Sequence, residues 1–340
     1  MRIIVDAMGG DNAPLAIVEG ALDAAKDGNL NIVLVGDEAK VGEIIASRGA
    51  CPANVTVHHA AESVTMEDDP LGVLRTKKDS SMAVSLRMLQ SGDGDAVVSA
   101  GNTGALLFAA THYVRTVHGV RRAPIATILP LPHPVLLLDS GANLGYHTDY
   151  DVQWAVMGSI YMKNAGGVEN PRVALLNNGT EPTKGVPEVA DAYKLLAARD
   201  DINFIGNVES RDIPAGVCDV LVTDGFTGNI VIKLMEGMGT FFKETMNDVF
   251  SQTVASRLGY LTVRGSLHRT LHSLSSECTG GAPILGLRKP VIKAHGNSNA
   301  AAAAAAIRQA AIFASSGAIE AVAAAAPSFT DVDVPAPAGV

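Results

Sequence analysis

Aromatic side chains are scarce in this sequence. Phe, Tyr and Trp make up 4% of the 340 residues, whereas 34 residues are glycine and 47% are hydrophobic. Strands of β-sandwiches are rich in aromatic residues, so this composition argues against that class. Small residues instead allow helices to pack closely on a sheet, which favours an α/β fold.

Cysteines are also few, and Cys51, Cys218 and Cys278 show no CxxC spacing. Neither a disulfide framework nor a zinc site is indicated, and we expect no metal. No apolar run approaches the roughly 20 residues of a membrane span. The sequence passes directly from Arg2 into an apolar run, without the pattern of a secretory leader. We therefore expect a cytoplasmic protein with reduced thiols.

Positive charge is in deficit as well. The sequence has 26 Lys and Arg residues against 35 Asp and Glu, a formal charge of -9. Without a dense basic block, nucleic acid is not an expected partner. The sequence also lacks the Walker A and GxGxxG patterns of nucleotide sites and the GxSxG pattern of a nucleophile elbow. We expect no cofactor.

Short apolar runs recur along the chain and alternate with stretches of helical length. This alternation predicts βαβ units, a mostly parallel sheet and a three-layer αβα architecture. Ligands of such sheets bind beyond the carboxyl ends of the strands. We expect one domain over residues 1–322 and a disordered tail over 323–340, where three prolines fall. The predicted strands are 3–5, 31–35, 54–58, 95–99, 125–129, 135–138, 172–176, 203–205 and 217–222.

One strand end has the pattern of an anion-binding turn. The strand ending at Ser99 is followed by Gly101, Asn102, Thr103 and Gly104, where a helix begins. Glycines let the backbone approach an anion closely, and the free N–H groups of a helix N-terminus attract it. The alternative interpretation is a simple capping turn, in which Asn102 only closes the helix end.

The same pattern recurs after other predicted strands. Asp139 and Asn143 follow one strand, Asp224 and Asn229 follow another, and Asp6 ends the first strand before a Gly-Gly turn. One such turn is ordinary, but the repetition suggests a common site. For each aspartate, the alternative is a group that only locks its turn.

Two further segments supply charged or polar side chains. Glu181 and Lys184 fall in one loop, where a lysine can bind phosphate as a point charge and the glutamate can orient it. A solvated ion pair is the alternative. His295 and Ser298 precede another helix, where the imidazole could act as an acid or as a donor to an oxyanion. A histidine that is merely hydrogen-bonded is the more ordinary case.

The ordered set of motifs resembles the bacterial phosphate acyltransferase family of phospholipid synthesis, also called PlsX. The resemblance covers residues 3 to about 320, and each short motif alone would be weak. In the loop that contains Lys184, Asn178, Thr180 and Pro182 depart from the family pattern. The matching segments are VDAMGGDNAP at 5–14, SAGNTGA at 99–105, LDSGAN at 138–143, DGFTGN at 224–229, GGAPILGL at 280–287 and HGNSN at 295–299.

The resemblance implies transfer of a long-chain acyl group from acyl carrier protein to inorganic phosphate. The acyl phosphate would serve a glycerol-3-phosphate acyltransferase, and the fold would resemble isocitrate and isopropylmalate dehydrogenases and phosphotransacetylase. Two alternatives remain open: an enzyme of the phosphotransacetylase type that uses acyl-CoA, and a catalytically silent membrane scaffold.

With that reaction as a guide, each candidate residue is assigned a role. Phosphate is already a nucleophile, so donors matter more than a base. The expected phosphate ligands are Gly101, Asn102, Thr103, Gly104, Lys184 and Ser298. The expected catalytic residues are Lys184, Asn229, His295, Asn143 and Asp224, of which the asparagines and His295 would face the carbonyl oxygen. Asp6, Asp139 and Glu181 are expected to position these donors, as is Asp224.

One segment does not follow the pattern of strands and turns. From Phe250 to Leu274, apolar residues recur at helical spacing with basic residues among them, which predicts an amphipathic arm over about 236–275. A homodimer contact and peripheral binding to the inner membrane face both fit this pattern. The family resemblance permits both.

Overall fold

Short apolar runs form the strands of this computed structural model, which describes residues 1–273 and 280–329. Leu274, Cys278 and the tail from residue 330 lie outside the described residues. The strands are β1 Arg2–Asp6, β2 Asn31–Gly36, β3 Val55–His59, β4 Ala96–Ser99, β5 Ala126–Leu129, β6 Val135–Leu138, β7 Arg172–Asn177, β8 Asn203–Glu209, β9 Val220–Val222, β10 Ala282–Pro283 and β11 Val291–Lys293. The α-helices are α1 Leu15–Ala25, α2 Glu38–Ser47, α3 Gly72–Arg75, α4 Ser81–Ser91, α5 Thr103–Tyr113, α6 Thr148–Asn164, α7 Pro187–Ala197, α8 Gly225–Ser251, α9 Val254–Ser273, α10 Ala300–Ser315 and α11 Ala318–Ala325.

The strands form two sheets. The first has the order β10-β11-β4-β1-β2-β3, and the second has the order β5-β6-β9-β7-β8. All pairings are parallel except β10 with β11 and β5 with β6. These two antiparallel edges meet where Ile125 bridges Ile284. The mostly parallel αβα architecture is confirmed, but two sheets joined at their edges replace the single predicted sheet.

Helix α6 lies at the centre of the larger hydrophobic core. Its side chains Trp154 and Tyr161 are almost completely buried, together with Met157 between them. Strands β1, β4 and β6 are buried along nearly their whole length, because helices cover both faces of a parallel sheet. The continuous apolar runs seen in the sequence follow from this double burial.

Several elements differ from the sequence expectations. Strands β10 and β11 were not predicted, since runs of two or three residues carry no periodic signal. Helix α2 was not predicted either. Helix α8 begins at Gly225. The predicted disordered tail begins too early, because α11 extends to Ala325 and the turn after it buries Phe329.

Helices α8 and α9 form the predicted arm. They are separated by only two residues, and the rings of Phe250 and Tyr260 pack 5.3 Å apart near the break. The arm starts at Gly225, earlier than the expected boundary near 236, because Asp224 caps α8 directly after β9.

Over the described ranges, no single helix is both long and apolar enough to cross a membrane. By length and composition alone, the bent pair Ala300–Ser315 and Ala318–Phe329 meets that requirement, with an angle of 51° between its parts.

A close contact between α1 and α10 makes Gly20 sensitive to substitution. A Cβ atom at Gly20 would lie 2.5 Å from the carbonyl oxygen of Ala300 and 2.6 Å from Cβ of Ala303. We predict that Gly20→Ala lowers the free energy of unfolding by about 1–3 kcal/mol, because the helices must separate. Urea unfolding followed by circular dichroism measures this change.

Gly42 on α2 is the matched control, since a Cβ atom there would meet no atom within 4 Å. Gly42→Ala should raise the free energy of unfolding by about 0.5–1 kcal/mol, through lower backbone entropy of the unfolded chain. Equal effects of the two substitutions would show that the α1–α10 contact does not limit stability.

Candidate active site

Three strands of the first sheet end at the same level. Lys293 of β11 is in register with Ser99 of β4, and Ser99 is in register with Asp6 of β1. Because the strands are parallel, their carboxyl ends lie at one edge of the sheet. The turns that follow them cover residues 7–14, 100–102 and 294–299. These include three of the segments that the sequence predicted to share a site.

Backbone contacts join these turns to one another. The N–H of Asp11 donates to the carbonyl oxygen of Gly296 at 2.7 Å, and Asn12 Nδ2 donates to the carbonyl oxygen of Asn297 at 3.0 Å. A Cβ atom at Gly9 would lie 2.7 Å from the backbone nitrogen of Gly101. The three turns therefore form one continuous surface, which we call the glycine-turn cluster.

Asp6 lies beneath this cluster. Its carboxylate is buried and accepts hydrogen bonds from Ser81 Oγ at 2.5 Å and from Ser99 Oγ at 2.6 Å. Ser99 Oγ in turn accepts from the N–H of Gly101 at 3.1 Å. Burial raises the pKa of Asp6, although these hydrogen bonds lower it in part. This geometry suits the predicted positioning role, since the carboxylate supports the turn from behind.

Asn102 caps helix α5 instead of facing outward. Its Oδ1 accepts from the N–H of Ala105 at 3.0 Å, and its Nδ2 donates to the carbonyl oxygen of Met66 at 3.1 Å. By contrast, no hydrogen bond within the described residues uses the N–H groups of Thr103 and Gly104. The anion-binding capacity of this turn thus lies in its backbone and the helix dipole, not in the Asn102 side chain.

The turn before α10 places its two candidate residues differently. Ser298 is 4% exposed and its Oγ donates to the carbonyl oxygen of His295 at 2.7 Å, so the hydroxyl points inward. His295 is about half exposed. Its Nδ1 accepts from the N–H of Asn297 at 3.4 Å, which leaves Nε2 as the protonated nitrogen of the neutral ring. Nε2 lies 3.5 Å from Glu236 Oε1 on α8.

A second cluster forms in the other sheet, after β6 and β9. Asp139 is completely buried and accepts from the N–H groups of Ile125 at 2.9 Å and Asn143 at 2.6 Å, among others. The carbonyl oxygen of Asn143 accepts from the N–H of Gly225 at 2.8 Å. Asp224 caps α8 through the N–H groups of Phe226 and Thr227. Both aspartates therefore bind backbone N–H groups of their own turns. This agrees with the alternative interpretation, in which each aspartate locks its turn.

The two asparagines of this second cluster are not equivalent. Asn143 Nδ2 donates to the carbonyl oxygen of Ala123 at 3.1 Å and to Asp139 Oδ2 at 2.9 Å, which uses both hydrogens of its amide. Asn229 is exposed beside Gly141, and no hydrogen bond of its side chain is found in the described part of the chain. Of these two asparagines, only Asn229 keeps a free amide donor among the described residues.

The loop after β7 is held by its backbone. Asn177 Nδ2 donates to the carbonyl oxygen of Lys184 at 2.9 Å, and Asn207 Nδ2 donates to that of Glu181 at 2.8 Å. The side chains of Glu181 and Lys184 are exposed, and among the described residues no ion pair joins them. The role of Glu181 in orienting Lys184 stays a prediction, and the alternative, a solvated ion pair between them, is not seen among the described residues.

Helix α8 connects the two clusters. Its N-terminus belongs to the second cluster, while Glu236, further along the helix, contacts His295 of the glycine-turn cluster. Within residues 1–273 and 280–329, no hydrogen bond or ion pair joins Lys184 or Asn229 to the turn at Gly101–Gly104. The candidate residues thus lie in two groups, related through α8.

Lys293 is the site residue that sequence reasoning missed. It ends β11 and its ammonium group donates to the carbonyl oxygens of Ala100 and Ala294. The available signal was a lysine that ends an apolar run two residues before His295 of the HGNSN motif.

Comparison with known proteins identifies the family. The family model described as "Fatty acid synthesis protein" matches residues 1–321. A phosphate acyltransferase of Acetivibrio thermocellus is 42% identical over 302 residues, which cover 88% of this chain and 89% of that protein. This chain belongs to the fatty acid synthesis protein family. The predicted resemblance to phosphate acyltransferases is confirmed, and the chain is an acyltransferase.

Two solved structures support the fold alone, because their sequence identities are low. A phosphotransacetylase from Streptococcus pyogenes is 16% identical, with a TM-score of 0.62 and coverage of 94% of both chains. A protein of Salmonella typhimurium described as a 4-hydroxythreonine-4-phosphate dehydrogenase is 14% identical, with a TM-score of 0.51, and the match covers 92% of this chain and 99% of that one. Both agree with the expected relation to phosphotransacetylase and dehydrogenase folds.

Among the described residues, no hydrogen bond joins a cysteine side chain to either cluster. Cys218 is buried, which raises the pKa of its thiol to about 12, and Cys51 is exposed, with its thiol donating to the carbonyl oxygen of Val55 in β3. In the described ranges, no three His, Cys, Asp or Glu side chains form a group suited to a metal ion. The expectation of no metal and no cofactor stays a prediction.

A buried carboxyl group lies behind the second cluster. Asp151 on α6 is 1% exposed, and neither of its oxygens has a hydrogen-bond partner among the described residues. Burial raises the pKa of Asp151 well above its usual value, and the nearby charges of Asp224 and Glu188 raise it further. Within the same described residues, Asp224 Oδ2 is also buried and has no hydrogen-bond partner.

This raised pKa predicts a pH-dependent loss of stability. The folded protein binds the Asp151 proton more tightly than the unfolded chain, so the stabilisation is complete below about pH 4 and is lost as pH rises through the folded-state pKa. We expect Asp151→Asn to be more stable than the wild type at pH 8 by on the order of 1–3 kcal/mol. At pH 4 the gain should be absent. Urea midpoints at the two pH values measure the difference.

Asp191→Asn is the control, because Asp191 forms only a solvent-exposed pair with Lys194 on α7. It should change the free energy of unfolding by less than about 1 kcal/mol at either pH. A stability gain of Asp151→Asn that is the same at pH 4 and pH 8 would contradict the interpretation.

Proposed function

We propose that this acyltransferase transfers a long-chain acyl group from acyl carrier protein to inorganic phosphate, and that the acyl phosphate serves phospholipid synthesis. The observation that carries the proposal is the glycine-turn cluster, where the unused N–H groups of Thr103 and Gly104 open the N-terminus of α5. Such a helix end suits a phosphate group. The names of its relatives support acyl transfer to phosphate.

The chemistry requires orientation more than a protein nucleophile. An oxygen of the phosphate dianion attacks the thioester carbonyl carbon and forms the new C–O bond. The C–S bond then breaks, and the leaving thiolate takes the proton of the phosphate. The products are acyl phosphate and the free thiol, so no redox partner or metal is needed for balance.

The negative charge on the carbonyl oxygen needs donors in the intermediate. Asn229 and the Nε2–H of His295 are the candidates, since one has an exposed, unused amide and the other holds its proton toward α8. Asn143 is less suited, because both hydrogens of its amide are already used. Lys184 is proposed to bind the phosphate when the loop after β7 moves toward the glycine-turn cluster.

The acyl donor is the point on which two related functions differ. A phosphotransacetylase-type enzyme would use acyl-CoA with the same phosphate chemistry, and acyl carrier protein is favoured by the motif resemblance. The acyl phosphate is too reactive to accumulate, so we propose that a glycerol-3-phosphate acyltransferase consumes it.

Acyl phosphate formation with each donor tests the proposal. Purified protein is given phosphate with palmitoyl-acyl carrier protein or palmitoyl-CoA, and the product is trapped as its hydroxamate. We expect kcat/KM to be at least about tenfold higher with the carrier protein, because a protein donor adds contacts that CoA lacks. Higher turnover with CoA would favour the phosphotransacetylase type, and no product with either donor would favour a scaffold.

Lys184→Ala in the same assay tests the loop. Loss of a charge contact to phosphate should raise the phosphate KM by about tenfold, with a smaller effect on the donor KM. Lys194→Ala on the exposed face of α7 is the matched control and should leave both values unchanged. An unchanged phosphate KM in Lys184→Ala would remove Lys184 from the phosphate site.

We also propose that the arm mediates assembly and membrane contact of this cytoplasmic enzyme. Large apolar side chains recur every three or four residues along α8 and are exposed, as are three at the start of α9. A surface of this extent is typical of an interaction site. The α8 stripe suits a second copy of the chain in a homodimer, and the α9 residues suit the inner membrane face. The stripe on α8 consists of Phe226, Ile230, Leu234, Met238, Phe241, Phe242, Met246 and Val249, and the α9 residues are Val254, Leu258 and Leu261.

Two double variants separate these roles. Leu258→Gln with Leu261→Gln should reduce co-sedimentation with anionic vesicles several-fold, since less apolar area enters the interface. Ile230→Gln with Leu234→Gln should instead shift sedimentation equilibrium toward monomer. Thr262→Gln, on the same helix as the leucines, is the control. Unchanged vesicle binding of the leucine variant rules out a membrane role for those leucines.

A further inference from the structure

The ammonium group of Lys293 lies inside the glycine-turn cluster. Lys293 is in register with Ser99, and Ser99 is in register with Asp6, so the three side chains share one face of the sheet. Its Nζ donates to the carbonyl oxygen of Ala100 at 3.4 Å and also to that of Ala294. These two carbonyls belong to the turns that lead to α5 and α10. The charge is therefore held between both helix N-termini.

This cation has no counter-ion in contact with it. No carboxylate oxygen of the described residues lies within 4.0 Å of Lys293 Nζ, although most other buried or half-buried cations of the chain form ion pairs. The Asp6 carboxylate is instead occupied by two serines, and Asp11 is exposed on the turn above. The ammonium group is half-buried, and a charge that is partly removed from water without a counter-ion is costly unless a ligand completes its surroundings.

The neighbouring groups indicate the charge of that ligand. The N–H groups of Thr103 and Gly104 are unused, and the dipoles of α5 and α10 add positive potential at the same turns. An ammonium group carries three donors, and carbonyls take two of those of Lys293. One donor remains, so an anion is the ligand that would satisfy the cation and the helix ends together.

We propose that Lys293 is a phosphate ligand of this enzyme and supplies the fixed positive charge of the glycine-turn cluster. The inference rests on the proposed function, because it takes phosphate as the substrate anion. Lys293 differs from Lys184 in origin: it extends from a central strand and is held by two carbonyls, whereas Lys184 lies on an exposed loop. Lys293 therefore marks the position that phosphate takes before any loop moves.

If Lys293 binds the anion, the protein should take up a proton at Lys293 when the anion binds. Burial lowers the pKa of Lys293 to about 8, with partial opposition from Asp11 and Asp6. The charged groups that act on it are Asp6 on β1 and Asp11 on the turn after β1. His295 follows it by two residues and contacts Glu236 of α8. An anion favours the charged ammonium, so binding near pH 8 should draw a proton from solution.

Calorimetric titration without any acyl donor tests the inference. Orthophosphate and sulfate are titrated into the wild type, Lys293→Met and Lys289→Met. Lys289 is the matched control, since its Nζ also donates to a carbonyl, that of Leu89 at 2.7 Å, at the opposite end of β11. We expect Lys293→Met to bind both anions at least about tenfold more weakly, through loss of a charge-assisted hydrogen bond, and Lys289→Met to bind as the wild type.

Sulfate titrations in two buffers of different ionisation enthalpy measure the proton. Sulfate does not titrate near pH 8, so the wild type should take up about half a proton through Lys293 at that pH. Lys293→Arg should retain binding within a few-fold but take up none of this proton, because arginine stays charged. If Lys293 had only a structural role, its substitution would lower the melting temperature, but the proton uptake on sulfate binding would stay that of the wild type.

The outcomes distinguish the two proposals. If the wild type forms acyl phosphate and Lys293→Met binds phosphate and sulfate as tightly, with the same proton uptake, the inference is overturned and the function stands. If the wild type binds neither anion and forms no acyl phosphate, the proposed function fails. If Lys293→Met does not fold, retained affinity with lost proton uptake in Lys293→Arg supports the inference, and unchanged uptake overturns it.

Discussion

The carboxyl group of Asp6, held between Ser81 and Ser99, connects the sheet to the turns above it. The two serines come from α4 and β4, and Ser99 Oγ also accepts a hydrogen bond from the N–H of Gly101. A buried carboxyl group without such partners would strongly destabilise the fold. The position of the Gly101 turn, and with it the N-terminus of α5, therefore depends on how Asp6 is satisfied.

Glycines let the other turns approach this support closely. Gly9 lies against Gly101, and Gly10 lies against both Ala100 and Gly296, where a Cβ atom would come within 3.0 Å of each neighbour. Close approach leaves little room for side chains at the surface of the cluster. Backbone N–H groups, Lys293 and His295 Nε2 are donors that the cluster keeps, whereas the candidate side chains Asn102 and Ser298 are turned toward the protein.

Helix α8 links the two clusters of candidate residues to the arm. It starts in the second cluster at Asp224, reaches His295 through Glu236, and continues into the exposed arm. One rigid helix thus relates the proposed carbonyl donors to the surface proposed for assembly. Asn229 lies on the same helix as the start of the arm, and His295 contacts that helix at Glu236.

The sequence by itself determined the fold class, the family resemblance and the places where chemistry-bearing turns occur. These are local properties: apolar runs of five residues, glycines after strands and asparagines before helices are written in neighbouring residues. The tertiary structure alone decided which turns meet, which donors stay free and that Lys293 belongs to the site. Asn143 and Asn229 look alike in sequence, yet Asp139 and Ala123 use both amide hydrogens of Asn143 and leave Asn229 exposed. Hydrogen-bond partners come from distant strands, so no local pattern could separate the two.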